Sequence, residues 1–168
     1  MSSNLDRARS YEEKVGKQIP EGQKCVFHLT PEVGWMNDPN GFSLYRGEYH
    51  LFYQYNPYSS VWGPMHWGHQ KTRDFIKWEQ LPCALAPDTE YDGQGCFSGS
   101  AVEHEGKHIL MYTGVLDRVE ADGSHTLRQT QCIAVGDGVN YEKLPANPVI
   151  TADALPEGSS GEDFRDPR

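Results

Sequence analysis

Hydrophobic and polar residues follow two different periods along this chain. Between Leu5 and Gln18 the apolar residues recur three or four positions apart among charged ones, which predicts a short amphipathic helix on the outside of the protein. From Val26 onward, short runs of β-branched and aromatic residues are interrupted by Gly, Pro and Asp, a pattern typical of an all-β protein. We therefore predict an N-terminal extension over residues 1–25 and a β-structured region over residues 26–168.

The β-structured region contains an internal repeat. Residues 46–53 align with residues 105–112, and residues 74–82 align with residues 137–145. A repeat of ~60 residues has room for four short strands, the size of one β-propeller blade, whereas a β-sandwich with chance similarity is the alternative. The strands predicted for the first blade cover residues 41–45, 49–55, 66–71 and 78–81.

The charge balance restricts the partners of the protein. With 15 basic and 24 acidic residues the formal charge is −9, and the Lys and Arg residues form no cluster. An acidic chain of this kind is not expected to bind nucleic acid or an anionic membrane.

Targeting signals and cysteines indicate a compartment. The first residues lack the apolar core of a secretion signal, and no later run is long enough to span a bilayer, so we expect a cytoplasmic protein. The four cysteines form no Cys-x-x-Cys pair, and a chain of this length does not need disulfide bonds. Reduced thiols in the core are therefore expected.

Residues 35–41, which spell Trp-Met-Asn-Asp-Pro-Asn-Gly, carry the most chemical information. The residue before a proline avoids the α region, so Asp38 is predicted to be extended at the entrance of a strand, with residues 39–41 forming a turn. A surface turn alone would explain the polar residues, but it has no need of Trp35 and Met36 beside an acid. An aromatic ring, an amide and a carboxylate together are typical of a sugar site.

Five ordered motifs resemble glycoside hydrolase family 32, which contains invertases, sucrose-6-phosphate hydrolases and fructanases. They lie at residues 35–41, 52–57, 62–69, 97–101 and 164–167. The resemblance implies a five-bladed β-propeller, usually followed by a β-sandwich. Because a propeller needs at least about four blades to close, the chain is expected to hold about the first two blades and the start of the third, as the N-terminal portion of a longer enzyme.

The resemblance also implies roles for individual residues. Asp38 matches the nucleophile of the family, and Asp166 matches the aspartate that stabilises the transition state by holding sugar hydroxyls. Both are predicted to be extended Asp-Pro residues at the start of an inner strand. Arg165 is expected to pair with these carboxylates and to keep them ionised. The residues matched to sugar binding are Trp35, Met36, Asn37, Gln54, Trp62, Phe97, Ser98 and Arg165.

The implied activity is retaining hydrolysis of terminal β-D-fructofuranosides, as in a β-fructofuranosidase. The family's general acid/base glutamate lies in a Glu-Cys-Pro motif, and no cysteine here follows a glutamate. The chain alone is therefore expected to be nearly inactive, since losing one of two cooperating carboxyl groups lowers the rate by orders of magnitude. Two alternatives stay open. One is an inverting relative, with carboxyl groups ~6.5–9.5 Å apart rather than ~5–5.5 Å, and the other is an inactive sugar-binding or interaction module.

The expected ligand is a small sugar, and no cofactor or metal is expected. Residues 104–108 have the His-Glu-x-x-His spelling of zinc proteases, but Gly106 aligns with Gly47 in the repeat, which predicts a hairpin turn instead of a helix. Sucrose, sucrose 6-phosphate and fructan stay open as substrates. The basic residues considered for a phosphate are no better than surface charges: Lys71, Arg73 and Lys77. Open blade edges also predict self-association.

Overall fold

The fold is described by a computed structural model that covers residues 2–25 and 27–168. Met1, and Val26 at the predicted boundary, lie outside the described residues. The described residues form a helix, α1 (Ser3–Gly16), and two four-stranded antiparallel sheets. None of their helices is long and apolar enough to cross a membrane.

Each sheet pairs its strands in chain order, and the predicted all-β class is confirmed. Sheet 1 consists of β1 (Trp35–Tyr45), β2 (Glu48–Asn56), β3 (His66–Thr72) and β4 (Trp78–Leu85). Sheet 2 consists of β5 (Gly95–His104), β6 (Lys107–Val119), β7 (His125–Gly136) and β8 (Tyr141–Lys143). Short 3-10 helices occupy Glu21–Gln23 and Ala152–Ala154.

The internal repeat is visible in the hairpin turns. Arg46 and Gly47 join β1 to β2 with φ angles of 49° and 78°, and Glu105 and Gly106 join β5 to β6 with 49° and 73°. Positive φ at both central residues is the type I′ geometry that matches the twist of a two-residue hairpin. The hairpin predicted at Gly106 is confirmed, so the two histidines of residues 104–108 lie on different strands rather than on one helix face.

The second repeated segment also has the same structure in both sheets. Between β3 and β4, the Asp74 carboxylate accepts hydrogen bonds from the backbone N–H groups two and three residues further on, at 2.9 and 2.8 Å. Between β7 and β8, Asp137 accepts the same two bonds at 2.9 and 2.8 Å. An aspartate that bonds its own following backbone specifies a turn locally, which is why the alignment of these residues was visible in the sequence.

The two sheets pack on each other through an apolar core that also contains three histidines. His50 Nδ1 lies 2.8 Å from His69 Nε2, and His108 Nε2 lies 2.8 Å from the Ser43 hydroxyl. Burial lowers the pKa of His108 to about 4, so its imidazole is neutral at pH 7. The apolar members of this core are Phe52, Trp67, Ala84, Leu85, Cys96, Leu110, Tyr112, Cys132, Ala134 and Tyr141.

Helix α1 packs on the other face of sheet 1. The helix predicted between Leu5 and Gln18 is present, and it buries Leu5 and Ala8 in a cluster that includes Tyr53 and Tyr55. Arg9 donates to a backbone carbonyl of β4 at 2.9 Å and to a side chain in the β7–β8 connection at 2.8 Å. The helix therefore contacts both sheets.

The cysteines are unpaired, and three of them lie in the core as expected. Cys83, Cys96 and Cys132 are buried, whereas Cys25 is exposed. The expectation of a core thiol is wrong for Cys25, which lies in the segment between α1 and β1 at an exposed position.

Glu12 is a buried carboxyl group on α1 that gives stability a pH dependence. Its Oε2 accepts a hydrogen bond from the Cys83 backbone N–H at 3.0 Å, and burial raises its pKa from 4.5 to about 7. The folded-state pKa lies above the unfolded-state value, so the fold is favoured by the protonated carboxyl group. The stability that this protonated group contributes is complete below pH 4.5 and is lost as the pH rises through 7. We expect the advantage of Glu12→Gln over the parent chain to grow by about 2–3 kcal/mol between pH 4.5 and pH 8 in urea denaturation.

The neighbouring residue provides a matched control. The Glu13 side chain is 71% exposed and pairs with Lys17 at 2.6 Å. Because the hydrogen bond from Lys17 lowers the pKa of Glu13, we expect Glu13→Gln to show no advantage that grows toward pH 8. A Glu12→Gln effect of equal size at pH 4.5 and pH 8 would assign the change to packing and contradict the raised pKa.

Candidate active site

Asp38 lies inside a strand, which corrects the prediction of a strand entrance beside a turn. β1 is an edge strand of sheet 1, and its pairing with β2 shifts register twice, once between Met36 and Pro39. An edge strand tolerates a proline, and a register shift is a β-bulge, which bends the strand and re-aims its side chains. Gly41, with φ of 51°, lies within the second shift. The bulged strand leaves Asp38 exposed.

Ser98 has the same setting in sheet 2. β5 is an edge strand that lies beside β1, and its pairing with β6 shifts between Phe97 and Gly99, so Ser98 is the extra residue of a bulge. Gly99 permits this close approach, since a Cβ atom there would lie 2.0 Å from the Met111 carbonyl oxygen. The first strand of each sheet is thus bulged at a residue predicted to belong to the site, Asp38 in β1 and Ser98 in β5.

Asp166 reaches the same place from the segment that follows β8. Its backbone N–H donates to Thr113 Oγ1 at 3.0 Å, which holds the segment against sheet 2. The φ angle of Asp166 is 61°, in the left-handed region, and no strand forms at this residue. The extended conformation predicted for this Asp-Pro pair is therefore wrong, because a contact with a distant strand outweighs the local preference.

Asp38, Ser98 and Asp166 meet in one cavity of about 200 Å³. Among the described residues, neither the Asp38 carboxylate nor the Asp166 carboxylate has a hydrogen bond or an ion pair. Free carboxylates accept hydrogen bonds from hydroxyl groups, and a carboxylate can also act as a nucleophile toward carbon. The other residues of the lining are Pro39, Asn40, Gly99, Pro167 and Arg168.

Four other predicted sugar-binding residues lie around this cavity: Asn37 and Phe97 adjoin its residues in the chain, and Trp35 and Trp62 contact those two. Trp35 Nε1 donates to Asn37 Oδ1 at 2.9 Å, which orders the segment that precedes Asp38. Trp62 is 59% exposed and meets the Phe97 ring edge-on, with centroids 6.3 Å apart. The exposed indole leaves a free aromatic face near the Ser98 bulge.

The remaining three predicted residues have partners within the protein. The Gln54 amide is buried and donates to the Cys96 carbonyl at 3.0 Å, which joins the two sheets. Met36 packs at the margin of the cluster beneath α1. Arg165 pairs with Asp163 at 2.8 Å. The expected pairing of Arg165 with the cavity carboxylates is corrected, since an acid two residues away is the local partner.

The basic residues considered for a phosphate also lie elsewhere. Lys71 pairs with Glu48 at 3.1 Å and with Glu79 at 3.4 Å, and Arg73 pairs with Glu48 at 3.1 Å. Neither these two cations nor Lys77 belongs to the lining of the cavity.

Thr113 and Gln131 contact the segment that carries Asp166, and the sequence did not indicate either residue. Both are buried polar residues on strands whose neighbouring residues join the apolar core. Such residues look like ordinary strand positions in the sequence, because the segment that they bind lies more than thirty residues away in the chain.

Comparisons with known proteins identify the family. The family model for the glycosyl hydrolases family 32 N-terminal domain matches residues 28–168. A sucrose-6-phosphate hydrolase of Zymomonas mobilis is 46% identical over 167 residues, which are 98% of this chain and 31% of that protein. A raffinose invertase of Escherichia coli is 41% identical over 169 residues, which are 100% of this chain and 34% of that protein.

A solved structure agrees with this relationship. The GH32 beta-fructofuranosidase of Bombyx mori superposes with a TM-score of 0.82 and 44% identity, covering 96% of this chain and 33% of that one. A mutant of the Bombyx mori enzyme has been solved in complex with sucrose. The chain belongs to glycosyl hydrolase family 32, and its sheets are the first two blades of the predicted β-propeller. It spans about a third of the length of these relatives.

Proposed function

We propose that this chain supplies the fructose-binding part of a retaining glycosidase that cleaves terminal β-D-fructofuranosides, acting in the cytoplasm. The observation that carries the proposal is the cavity shared by Asp38 and Asp166, two carboxylates without partners among the described residues. The name of the Zymomonas mobilis relative and the sucrose complex of the Bombyx mori mutant favour sucrose 6-phosphate or sucrose as the substrate.

Asp38 acts as the nucleophile in this proposal. Its carboxylate attacks the anomeric carbon of fructose while the bond to the leaving sugar breaks and a general acid protonates the departing oxygen. Water then attacks the same carbon with assistance from a general base, and fructose leaves as the Asp38 carboxylate is restored. Two inversions at one carbon give net retention of configuration.

Asp166 stabilises the transition state in this proposal. As positive charge develops on the fructosyl ring, its carboxylate accepts hydrogen bonds from the sugar hydroxyls. Ser98 and Asn37 add polar contacts, and the exposed ring of Trp62 covers an apolar face of the sugar. Trp35, Met36, Gln54, Phe97 and Arg165 complete the proposed binding set.

A sugar-binding or interaction module is the second candidate. The observation in its favour is that no glutamate of this chain precedes a cysteine, so the family's acid/base motif has no counterpart among these 168 residues. Such a module would bind fructose through the same cavity without turnover. Exposed apolar residues on the open faces of the sheets, such as Phe42 and Val102, would favour its self-association.

A chimera tests the catalytic proposal. In it, this chain replaces the matching third of the Zymomonas mobilis relative, and it is assayed beside the chain alone for release of reducing sugar from sucrose, sucrose 6-phosphate and a fructan. We expect turnover by the chimera and little by the chain alone. When methanol is added to the assay as an acceptor in place of water, a retaining enzyme gives methyl β-D-fructofuranoside, whereas the α anomer would identify an inverting enzyme.

The other outcomes are informative as well. A folded chimera that hydrolyses none of these sugars overturns the catalytic proposal. If the chain then still binds fructose in calorimetry, the binding module is supported, and if it binds none, both candidates fail. Size-exclusion chromatography of the chain in the same samples reports whether it self-associates.

A further inference from the structure

Thr113 and Gln131 form a buried polar pair on the outer face of sheet 2. They are direct partners in the register of β6 and β7, and they are 0% and 2% exposed. Their chain neighbours Tyr112 and Cys132 belong to the core between the sheets. Because side chains alternate along a strand, Thr113 and Gln131 point away from that core.

The pair binds the segment that carries Asp166. Thr113 Oγ1 lies 3.2 Å from Gln131 Oε1, and Gln131 Nε2 donates to the Phe164 carbonyl at 2.8 Å. The Asp166 backbone N–H donates to Thr113 Oγ1 at 3.0 Å. The two side chains therefore hold residues 164–166 at two points.

The backbone of Gln131 holds an earlier part of the same segment. Its N–H donates to the Ile150 carbonyl at 2.8 Å, and its carbonyl accepts from the Val149 N–H at 2.8 Å. β8 pairs only with residues 134–136, which leaves the backbone at Gln131 open to these bonds. Gln131, on a central strand, therefore holds the segment through its backbone N–H, its backbone carbonyl and its side-chain amide.

Thr113 also contacts the other side of the cavity. Its Oγ1 lies 3.2 Å from the carbonyl oxygen of Ser98, the bulged residue of β5. One hydroxyl thus touches the backbone of both Ser98 and Asp166, two residues that line the cavity with Asp38. The Thr113 hydroxyl therefore links the Asp166 segment to the bulge of β5.

The backbone of Asp166 requires such support. Its φ of 61° lies in the left-handed region, which a non-glycine residue adopts only where the surroundings hold it. The Thr113 hydroxyl supplies the bond to its N–H, and Gln131 fixes the carbonyl two residues earlier.

We propose that Thr113 and Gln131 are positioning residues that hold the Asp166 carboxylate in the cavity facing Asp38. The inference rests on the proposed function of Asp166 and adds the residues through which the fold places it. Neither positioning side chain belongs to the lining of the cavity, so both act through the Asp166 segment.

The first test measures the contact itself in this chain. We expect Thr113→Val, which removes the hydroxyl and keeps the shape, to raise the hydrogen-exchange rate of the Asp166 amide at least about tenfold in NMR, since the amide loses its bond. Thr113→Ser keeps the bond and should leave the rate near that of the parent. Thr130→Val is the matched control, because Thr130 lies beside Gln131 and, among the described residues, its hydroxyl has only a 3.8 Å contact with Cys132 Sγ.

The second test measures the consequence in the chimera. We expect Thr113→Val and Gln131→Met to lower kcat for sucrose about 10- to 100-fold with a smaller change in KM, because displacing a group that acts in the transition state affects kcat most. Thr113→Ser should recover kcat to within about threefold. Thr130→Val controls for any loss of activity through the sheet alone.

The two tests separate the two proposals. An unchanged Asp166 amide exchange rate in Thr113→Val overturns the positioning role, whatever the activity. A raised exchange rate with an unchanged kcat in the active chimera also overturns it, since the displaced residue would then not matter for the reaction. If the chimera has no activity, the proposed function fails, and the exchange experiment alone decides whether Thr113 holds Asp166.

Discussion

Replacing Asp38 with Asn is expected to lower kcat of the chimera for sucrose by on the order of 10⁴-fold or more, the loss typical of removing a nucleophile. A neutral amide cannot form the covalent bond to the anomeric carbon. The Asp38 carboxylate is exposed and has no partner among the described residues, so the substitution removes no stabilising contact. The thermal midpoint should therefore stay unchanged while activity is lost.

Two further aspartates make this result specific. Asp166→Asn should reduce kcat less, by about 10²- to 10³-fold, because it weakens stabilisation of developing charge without removing the nucleophile. Asp122 is the matched control. Its carboxylate lies in an exposed turn and accepts hydrogen bonds from the N–H and the hydroxyl of Ser124, two residues further on, so Asp122→Asn should leave kcat unchanged. A folded Asp38→Asn chimera that keeps more than about 1% of its activity would contradict the assignment of the nucleophile.

Replacing Lys143 with Met is expected to destabilise the chain by about 3–5 kcal/mol. Lys143 Nζ lies 2.5 Å from Asp88 Oδ1, 2.5 Å from Asp92 Oδ2 and 2.7 Å from the Ala86 carbonyl. Asp92 is fully buried and also accepts the Tyr112 hydroxyl at 2.8 Å. Without the ammonium group, two closely spaced carboxylates lose their counter-charge in a largely buried site.

The position of this cluster explains why the loss affects the whole fold. Lys143 lies in β8, the last strand of sheet 2, whereas Asp88 and Asp92 lie in the connection between β4 and β5. The cluster therefore ties the outer strand of one sheet to the segment that leads from the other. A folded state of ordinary stability, about 5–15 kcal/mol, would be strongly weakened by its removal.

Urea denaturation at pH 7 measures this effect. Lys107→Met, at an exposed residue at the start of β6, is the matched control and should change stability little. A triple variant with Asp88→Asn and Asp92→Asn beside Lys143→Met should recover part of the loss, because it leaves no unpaired charge. A loss below about 1 kcal/mol for Lys143→Met would show that the cluster behaves like a solvated surface pair.

Features decided by neighbouring residues were predicted correctly. The spacing of apolar residues indicated α1, and the alignment of Gly47 with Gly106 indicated two equivalent hairpins. Asp74 and Asp137 form the same local turn through their own following backbone. In each case the stabilising contacts lie within a few residues, so the pattern contains the information that selects the structure.

The candidate site was predicted in part. Asp38, Ser98 and Asp166 belong to short motifs, and they meet in one cavity. Their backbone conformations could not be derived locally. The bulge at Asp38 depends on pairing with β2, and the left-handed conformation of Asp166 accompanies a hydrogen bond to Thr113, 53 residues earlier in the chain.

The sequence by itself determined the family and the all-β class with its repeat, and it singled out the aspartates proposed for the site. Motif residues, turn residues and hydrophobic periods are local, and they are readable without knowing which strands pair. Only the tertiary structure decided how the aspartates are presented. Strand pairing places the bulges, and the buried pair Thr113 and Gln131 holds the Asp166 segment across sheet 2, because such contacts join residues that are distant in the chain.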